Sequence, residues 1–158
     1  MAMATLKRIR GGAIARAAGN SFEDFFDAKC NGAGIAVTRM PDGCRQVGPK
    51  RLIRVKSDFD WVLSFHGKAA LIDTKTFGSH NTLRPSDLTP HQVDALYRHW
   101  QHDTISGYIV WFRKVDYIGF AWAKLLRDIV ETGQSIPHTG LMPLGSFRDF
   151  KPLRLFTP

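Results

Sequence analysis

Asp73 and Lys75 stand two residues apart in the run Ala69-Ala70-Leu71-Ile72-Asp73-Thr74-Lys75-Thr76, a few residues after Asp58-Phe59-Asp60. Two carboxylates and one ammonium brought together suit phosphodiester hydrolysis. Carboxylate oxygens and water are the ligands that Mg²⁺ and Mn²⁺ prefer. A metal held there polarises a phosphate and lowers the pKa of a bound water, while a lysine orients that water or offsets developing charge. A lone Asp-x-Lys pair is more often a solvated ion pair at a strand end. Here its flank Ala69-to-Ile72 is apolar, an acid precedes it on a neighbouring strand, and an acid cluster is out of character in so basic a chain.

The elements that position these groups follow from the hydrophobic pattern. From Asp58 to Phe65, Phe59, Trp61, Leu63 and Phe65 share one parity and Asp58, Asp60, Val62 and Ser64 the other. Such alternation predicts a strand with one packed face. His66-Gly67-Lys68 supplies a short turn, and the apolar run after it completes a hairpin. On the second strand Asp73 and Lys75 point to one face. If Asp60 shares that face, two carboxylates converge beside one lysine.

The chain has 158 residues, enough for one domain with a sizeable core. Its 44% hydrophobic and 11% aromatic content excludes wholesale disorder. Lys and Arg number 22 against 14 acids, a net charge of +8 with a pI near 9.9. That charge favours polyanionic partners, nucleic acid before an anionic membrane surface. Cys30 and Cys44 are too few for a disulfide framework and lack C-x-x-C spacing, which fits a reduced, cytoplasmic chain. No apolar run approaches the roughly 18 residues of a membrane span, and no secretory signal opens the chain.

Residues 1–19, with Lys7, Arg8, Arg10 and Arg16, predict a basic, loosely ordered arm able to lie on phosphates; residues 20–158 predict a single domain. Asn20-Ser21 before Phe22-Glu23-Asp24-Phe25-Phe26 marks a helix start, with the phenylalanines on one face and Glu23 at its margin. Asn31-Gly32 closes that helix. Gly34–Arg39 predicts a strand, Pro41-Asp42-Gly43 a turn, and Arg51–Lys56 a strand with a cationic face leading into Asp58. Arg51, Arg54 and Lys56 are candidate phosphate contacts, and Thr76 and Arg84 join them as candidate nucleic-acid contacts. The connection from Phe77 to Leu88 is of a length that is often functional. Thr89-Pro90 opens a helix whose stripe is Val93, Leu96, Tyr97 and Trp100, with Gln92 near the strand ends. Strands at Tyr108–Arg113 and Tyr117–Phe120 and a helix at Ala121–Glu131 follow. The segment from Ser135 onward predicts a wrap over the surface or a partner subunit. The order gives an α/β fold, a mixed central sheet flanked by helices.

Glu23 on the first helix, Asp60 on a strand, Asp73-x-Lys75 on the next and Gln92 at a helix start together resemble the PD-(D/E)XK nuclease superfamily. Within it the chain is most similar to the RecU-type Holliday junction resolvases over roughly residues 20 to 140. The likeness rests on Gly34-Ile35-Ala36-Val37, Ser57-Asp58-Phe59, Gly67-Lys68 six residues before the acid, Asp73-Thr74-Lys75-Thr76, His91-Gln92 and Gln134-Ser135-Ile136-Pro137. It implies a restriction-endonuclease-like core and Mg²⁺-dependent DNA cleavage, with Mn²⁺ as a substitute. It further implies a homodimer whose two sites cut opposing strands of a four-way junction. Asp60 and Asp73 would ligate the metal, Lys75 would position the water, Glu23 would support the metal shell, Gln92 would orient the site and Thr76 would back it. Asp58 competes with Asp60: the Ser-Asp-Phe motif favours Asp58, and the count back from Gly67 favours Asp60.

The chain departs from the resolvase pattern in three places. Asp73 stands where Glu is usual, no Pro precedes Asp58 or Asp60, and the segment Met40 to Lys50 is short where those enzymes carry a stalk that enters the junction. A compact form would suit a phage-encoded resolvase or a broader branched-DNA nuclease. A reading from a different class is a non-catalytic nucleic-acid-binding module on a nuclease-like fold.

Overall fold

A computed structural model describes residues 19–46, 49 and 51–157. The expected contacts Lys7, Arg8 and Arg10 lie outside the described residues. Helix α1 covers residues 19–32, with Asn20 and Ser21 inside it rather than before it. Phe22, Phe26 and Cys30, four apart, form its buried stripe. The helix closes two residues beyond the expected Asn31-Gly32. Gly34 takes φ 78°, Gly34 N–H donates to the Asn31 carbonyl and Ile35 N–H to that of Cys30. This is the double hydrogen bond that a left-handed glycine allows at a helix C-terminus.

Strands β1 (Ala36–Arg39), β2 (Gly43–Gln46), β3 (Leu52–Val55), β4 (Trp61–Phe65) and β5 (Lys68–Phe77) come next. After them come β6 (Thr82–Leu83), a 3-10 turn at Pro85–Asp87, α2 (Pro90–Trp100), β7 (Ile105–Phe112) and β8 (Tyr117–Trp122). The chain ends with α3 (Ala123–Thr132), β9 (Ile136–Pro137) and β10 (Met142–Gly145). A six-stranded sheet has the order β1-β4-β5-β7-β8-β10, parallel between β5 and β7 and antiparallel elsewhere. The mixed central sheet flanked by helices is thus the architecture the sequence predicts.

The β4–β5 hairpin turns through His66 and Gly67, at φ 47° and 77°. Two residues at positive φ match the right-handed twist of the flanking strands. The turn sets Phe65 opposite Lys68 and Trp61 opposite Ile72. Trp61, Leu63, Ala70 and Ile72 pack against α1, while Leu71 belongs to the opposite cluster with Leu96 of α2 and Leu126 of α3. Burial of a side chain such as Leu63 or Ile72 is worth about 2 kcal/mol, enough to hold the register against a one-residue slip that would reverse both faces.

The expected cationic strand forms as β3, and among the described residues it pairs with β2 alone, as a two-stranded ribbon separate from the central sheet. One expectation changes. The segment after Ser135 does not merely wrap the surface. β10 completes the sheet edge against β8, and Leu144, Phe150, Leu155 and Phe156 enter the α1-side core. Its apolar side chains found burial within the chain, which a run broken by Pro143 and Gly145 does not announce.

Candidate active site

Asp60 lies immediately before β4 rather than within it. Its N–H still donates to the Ile72 carbonyl (3.0 Å) and its carbonyl accepts from Met40 N–H (2.8 Å), so the ladder fixes it. One further step of the hairpin register sets Asp60 beside Asp73. Asp60 Oδ2 accepts from Thr74 N–H at 3.4 Å, and its carboxyl lies near enough to that of Asp73 to raise the latter's pKa. Asp73, on β5, is 1% exposed, and its Oδ2 receives no directed hydrogen bond. Lys75 Nζ sits 2.6 Å from that oxygen as a charge contact. The Asp73 carboxyl is pushed up to about 8 by burial first and by Asp60 second, against the pull of Lys75.

Gln92, in the first turn of α2, reaches both groups. Its Nε2 donates to Asp73 Oδ1 and its Oε1 accepts from Lys75 Nζ, each at 3.4 Å. Thr89 caps α2 by position, with Pro90 at the first helical residue as the sequence predicts. Pro90 there lacks only an N–H that would have had no helical partner.

These residues line a cleft of about 770 Å³. Glu23 reaches its rim from α1 and is ion-paired with Arg39 of β1, whose guanidinium also lies over the Trp61 ring. Burial raises the Glu23 carboxyl above its usual range; Arg39 draws it down and Asp60 adds to the rise. Arg54 of the β2–β3 ribbon and Lys56 just after it also line the cleft. Asp42 ties the ribbon down, pairing with Arg54 at 2.7 Å and accepting from Ser57 N–H at 3.3 Å.

The cleft thus brings together Glu23, Asp60, Asp73, Lys75, Gln92, Arg54 and Lys56. It does not include Asp58, which is exposed and lines a separate hollow of about 520 Å³ with His91, Asp94 and Arg127. Arg51 is exposed outside the cleft, Arg84 pairs with Asp87, and Thr76 takes the parity opposite to Lys75, on the α1 side. Sequence reasoning passed over Arg39, Asp42 and Tyr108. Tyr108 alone carried a signal: a tyrosine inside an apolar strand needs a partner for its hydroxyl.

Among the described residues no three His, Cys, Asp or Glu side chains stand close enough to enclose a metal. The Asp60–Asp73 pair still fits one: Mg²⁺ is commonly held by one or two carboxylates with waters and substrate phosphates completing its shell, and Asp73 Oδ2, which takes no directed hydrogen bond, would be shared between the metal and the Lys75 ammonium 2.6 Å away. No helix among the described residues is long and apolar enough to cross a membrane.

Neither a family model nor a curated protein matches the chain. Among solved structures, it is similar to Hjc, a Holliday junction resolvase from the archaeal hyperthermophile Archaeoglobus fulgidus. The TM-score is 0.47 and the identity 17%, covering 67% of this chain and 78% of that one.

Proposed function

We propose that the protein is a Mg²⁺-dependent endonuclease for branched DNA, with Asp60 and Asp73 as the metal ligands and Lys75 as the charged group beside them. One observation carries this reading. A buried carboxylate, Asp73, meets a second carboxylate and a lysine in a cleft that is also lined by Arg54 and Lys56. A bound Mg²⁺ would supply Lewis-acid polarisation of the scissile phosphate and acidify water.

The chain's own groups do the rest. Lys75 holds an ammonium where negative charge develops on the phosphate, fixed by Gln92 rather than left to swing. Arg54 and Lys56 take flanking phosphates, which position the strand without reading its sequence. The +8 net charge draws the polyanion in. Four-way junctions are the substrate in this proposal, and a homodimer would present two such clefts to opposing strands.

Cleavage of a labelled four-way junction, a linear duplex and a single strand in Mg²⁺ tests this, with wild type set against Asp73→Asn and Lys75→Ala. Loss of cutting in both variants with DNA binding retained is the expected result; undiminished cutting in both sinks the proposal. Sedimentation of the free protein tests the dimer. The pairing of Glu23 with Arg39 favours a second reading, a binding module without catalysis, because it leaves two carboxylates where a third would strengthen a metal site. Calorimetric titration with Mg²⁺ and Mn²⁺ separates the two: a module binds DNA and neither metal.

A further inference from the structure

We infer that Tyr108 is a positioning residue of this site, its hydroxyl setting the orientation of the Gln92 amide and its ring carrying the Lys75 ammonium. The inference rests on the nuclease reading and adds to it a residue that touches neither metal nor substrate.

The placement follows from the sheet. β7 runs parallel to β5, and in that register Tyr108 is the partner of Asp73. Asp60, Asp73 and Tyr108 therefore form a row across three adjacent strands, with Asp73 in the middle. Tyr108 is fully buried, so its hydroxyl must find partners within the protein. It accepts from Thr89 N–H at 3.5 Å and donates to Gln92 Oε1 at 3.4 Å. Burial raises the phenol's pKa, with the Asp73 charge adding to the rise, so the group stays protonated and remains a donor.

The direction of the chain matters. A carboxamide can sit either way round, and the two ways are nearly equal in shape. With Tyr108 O–H and Lys75 Nζ both donating, the end of Gln92 facing them must be the oxygen. The N–H then faces Asp73 Oδ1. Thr89 N–H, Tyr108 O–H and Gln92 N–H thus form a one-way series from the start of α2 to the buried carboxylate. The tyrosine ring adds a second constraint, since Lys75 Nζ lies 5.1 Å from its centroid. Without the hydroxyl, the amide keeps only its two 3.4 Å bonds, from Lys75 and to Asp73, to hold it in this orientation.

Tyr108→Phe removes the hydroxyl and keeps the ring; Tyr108→Leu removes both. Single-turnover cleavage of a four-way junction in Mg²⁺ should fall about tenfold in the phenylalanine variant, the scale of a group that orients a ligand from behind. It should fall further in the leucine variant. DNA affinity should stay at the wild-type value in both, which also shows that each is folded. Adding Tyr108→Phe to Gln92→Ala should cost nothing beyond Gln92→Ala alone, because the hydroxyl acts through that amide. Rates within about twofold of wild type, or losses that multiply in the double variant, would overturn the inference.

The side-chain amide signals of Gln92, identified in NMR spectra by their absence from Gln92→Ala, give an arm that needs no cleavage. They should move in Tyr108→Phe, and signals at unchanged positions overturn the positioning claim by themselves. If wild type cuts no DNA the nuclease reading fails, and these signals still decide whether Tyr108 orients Gln92.

Discussion

The molecule carries ion pairs in two contrasting places. At the cleft, Lys75 meets Asp73, the acid 1% exposed and the lysine 24%. On the outer surface of α2 and α3, Arg127 meets Asp94 and Glu131, and Lys124 meets Asp128, all with partners in contact with solvent. The surface pairs lie largely at helical i,i+4 spacing, where attraction in water is weak and salt weakens it further. The cleft pair is expensive. Desolvation of Asp73 exceeds what Lys75 returns, which is why its carboxyl is pushed up to about 8. A fold under no demand for function would do better with a neutral residue at 73. One kind of contact holds a costly buried charge at the cleft, and the other accompanies the helix surface at little cost.

Breaking the cleft pair should have the largest effect. Lys75→Ala should slow junction cleavage by roughly 10²–10³, the scale of removing one preorganised group that stabilises developing charge. Asp73→Asn should do at least as much, read by gel assay of the labelled junction. Arg127→Ala should leave the cleavage rate where it was. Should the surface variant slow cutting as much as Lys75→Ala does, the distinction between the two places fails.

The same contrast predicts how stability depends on pH. Asp73 has a folded-state pKa near 8, above the ordinary carboxylate value, so the folded protein binds the proton more tightly than the unfolded chain. Stability of the metal-free protein should therefore fall as pH rises from about 4 to about 8. Asp73→Asn should remove that decline, so that its stability changes less between about pH 4 and pH 8 than that of wild type. Urea unfolding at several pH values in chelator reads both. A wild-type stability that climbs over this window would contradict the burial argument. Mg²⁺ should restore wild type and leave the asparagine variant unchanged, because only ionised Asp73 gains a cation.

Much of this site was legible because it lies on a hairpin. Period-two alternation from Phe59 to Phe65 and the pair His66-Gly67 fix a register, and the register fixes which acids meet. The choice between Asp58 and Asp60 was not legible. Both have the same parity, and the strand begins only at Trp61, so alternation has no force that far out. Tyr108 gave only a weak signal, for the opposite reason: β7 is buried on both faces, and a run of apolar neighbours masks the polar tip of its tyrosine. Of the β2–β3 ribbon only β3 was legible, and β2 and the edge strand β10 were missed as strands altogether: four residues carrying Gly43, or Pro143 and Gly145, hold too little alternation to read, and their pairing is decided by distant contacts such as Met142 with Phe120.

The cationic side chains of the cleft supply intermediate effects. Arg54→Ala and Lys56→Ala should each weaken binding similarly for junction, duplex and single strand. Each should reduce the slope of log affinity against log salt by about 1, since each releases about one counterion. A variant that weakens junction binding alone would mean that the ribbon reads branch geometry rather than phosphate charge.

The smallest expected effect closes the comparison from the other end. Arg127 also lies over the Tyr97 ring, so its contacts number three: Asp94, Glu131 and an aromatic face. Such a cluster invites the view that it fastens α3 to α2. The helices already meet through buried Leu96, Leu126 and Ile129, which need no charge to stay together. Arg127→Met keeps the aliphatic stem over Tyr97 and discards the guanidinium. It should leave the melting midpoint almost unmoved at physiological salt. Arg127→Ala should lower it slightly, through the lost packing. If the methionine variant melts well below wild type, and more so at low salt, surface charge holds these helices and the contrast with the cleft loses its force.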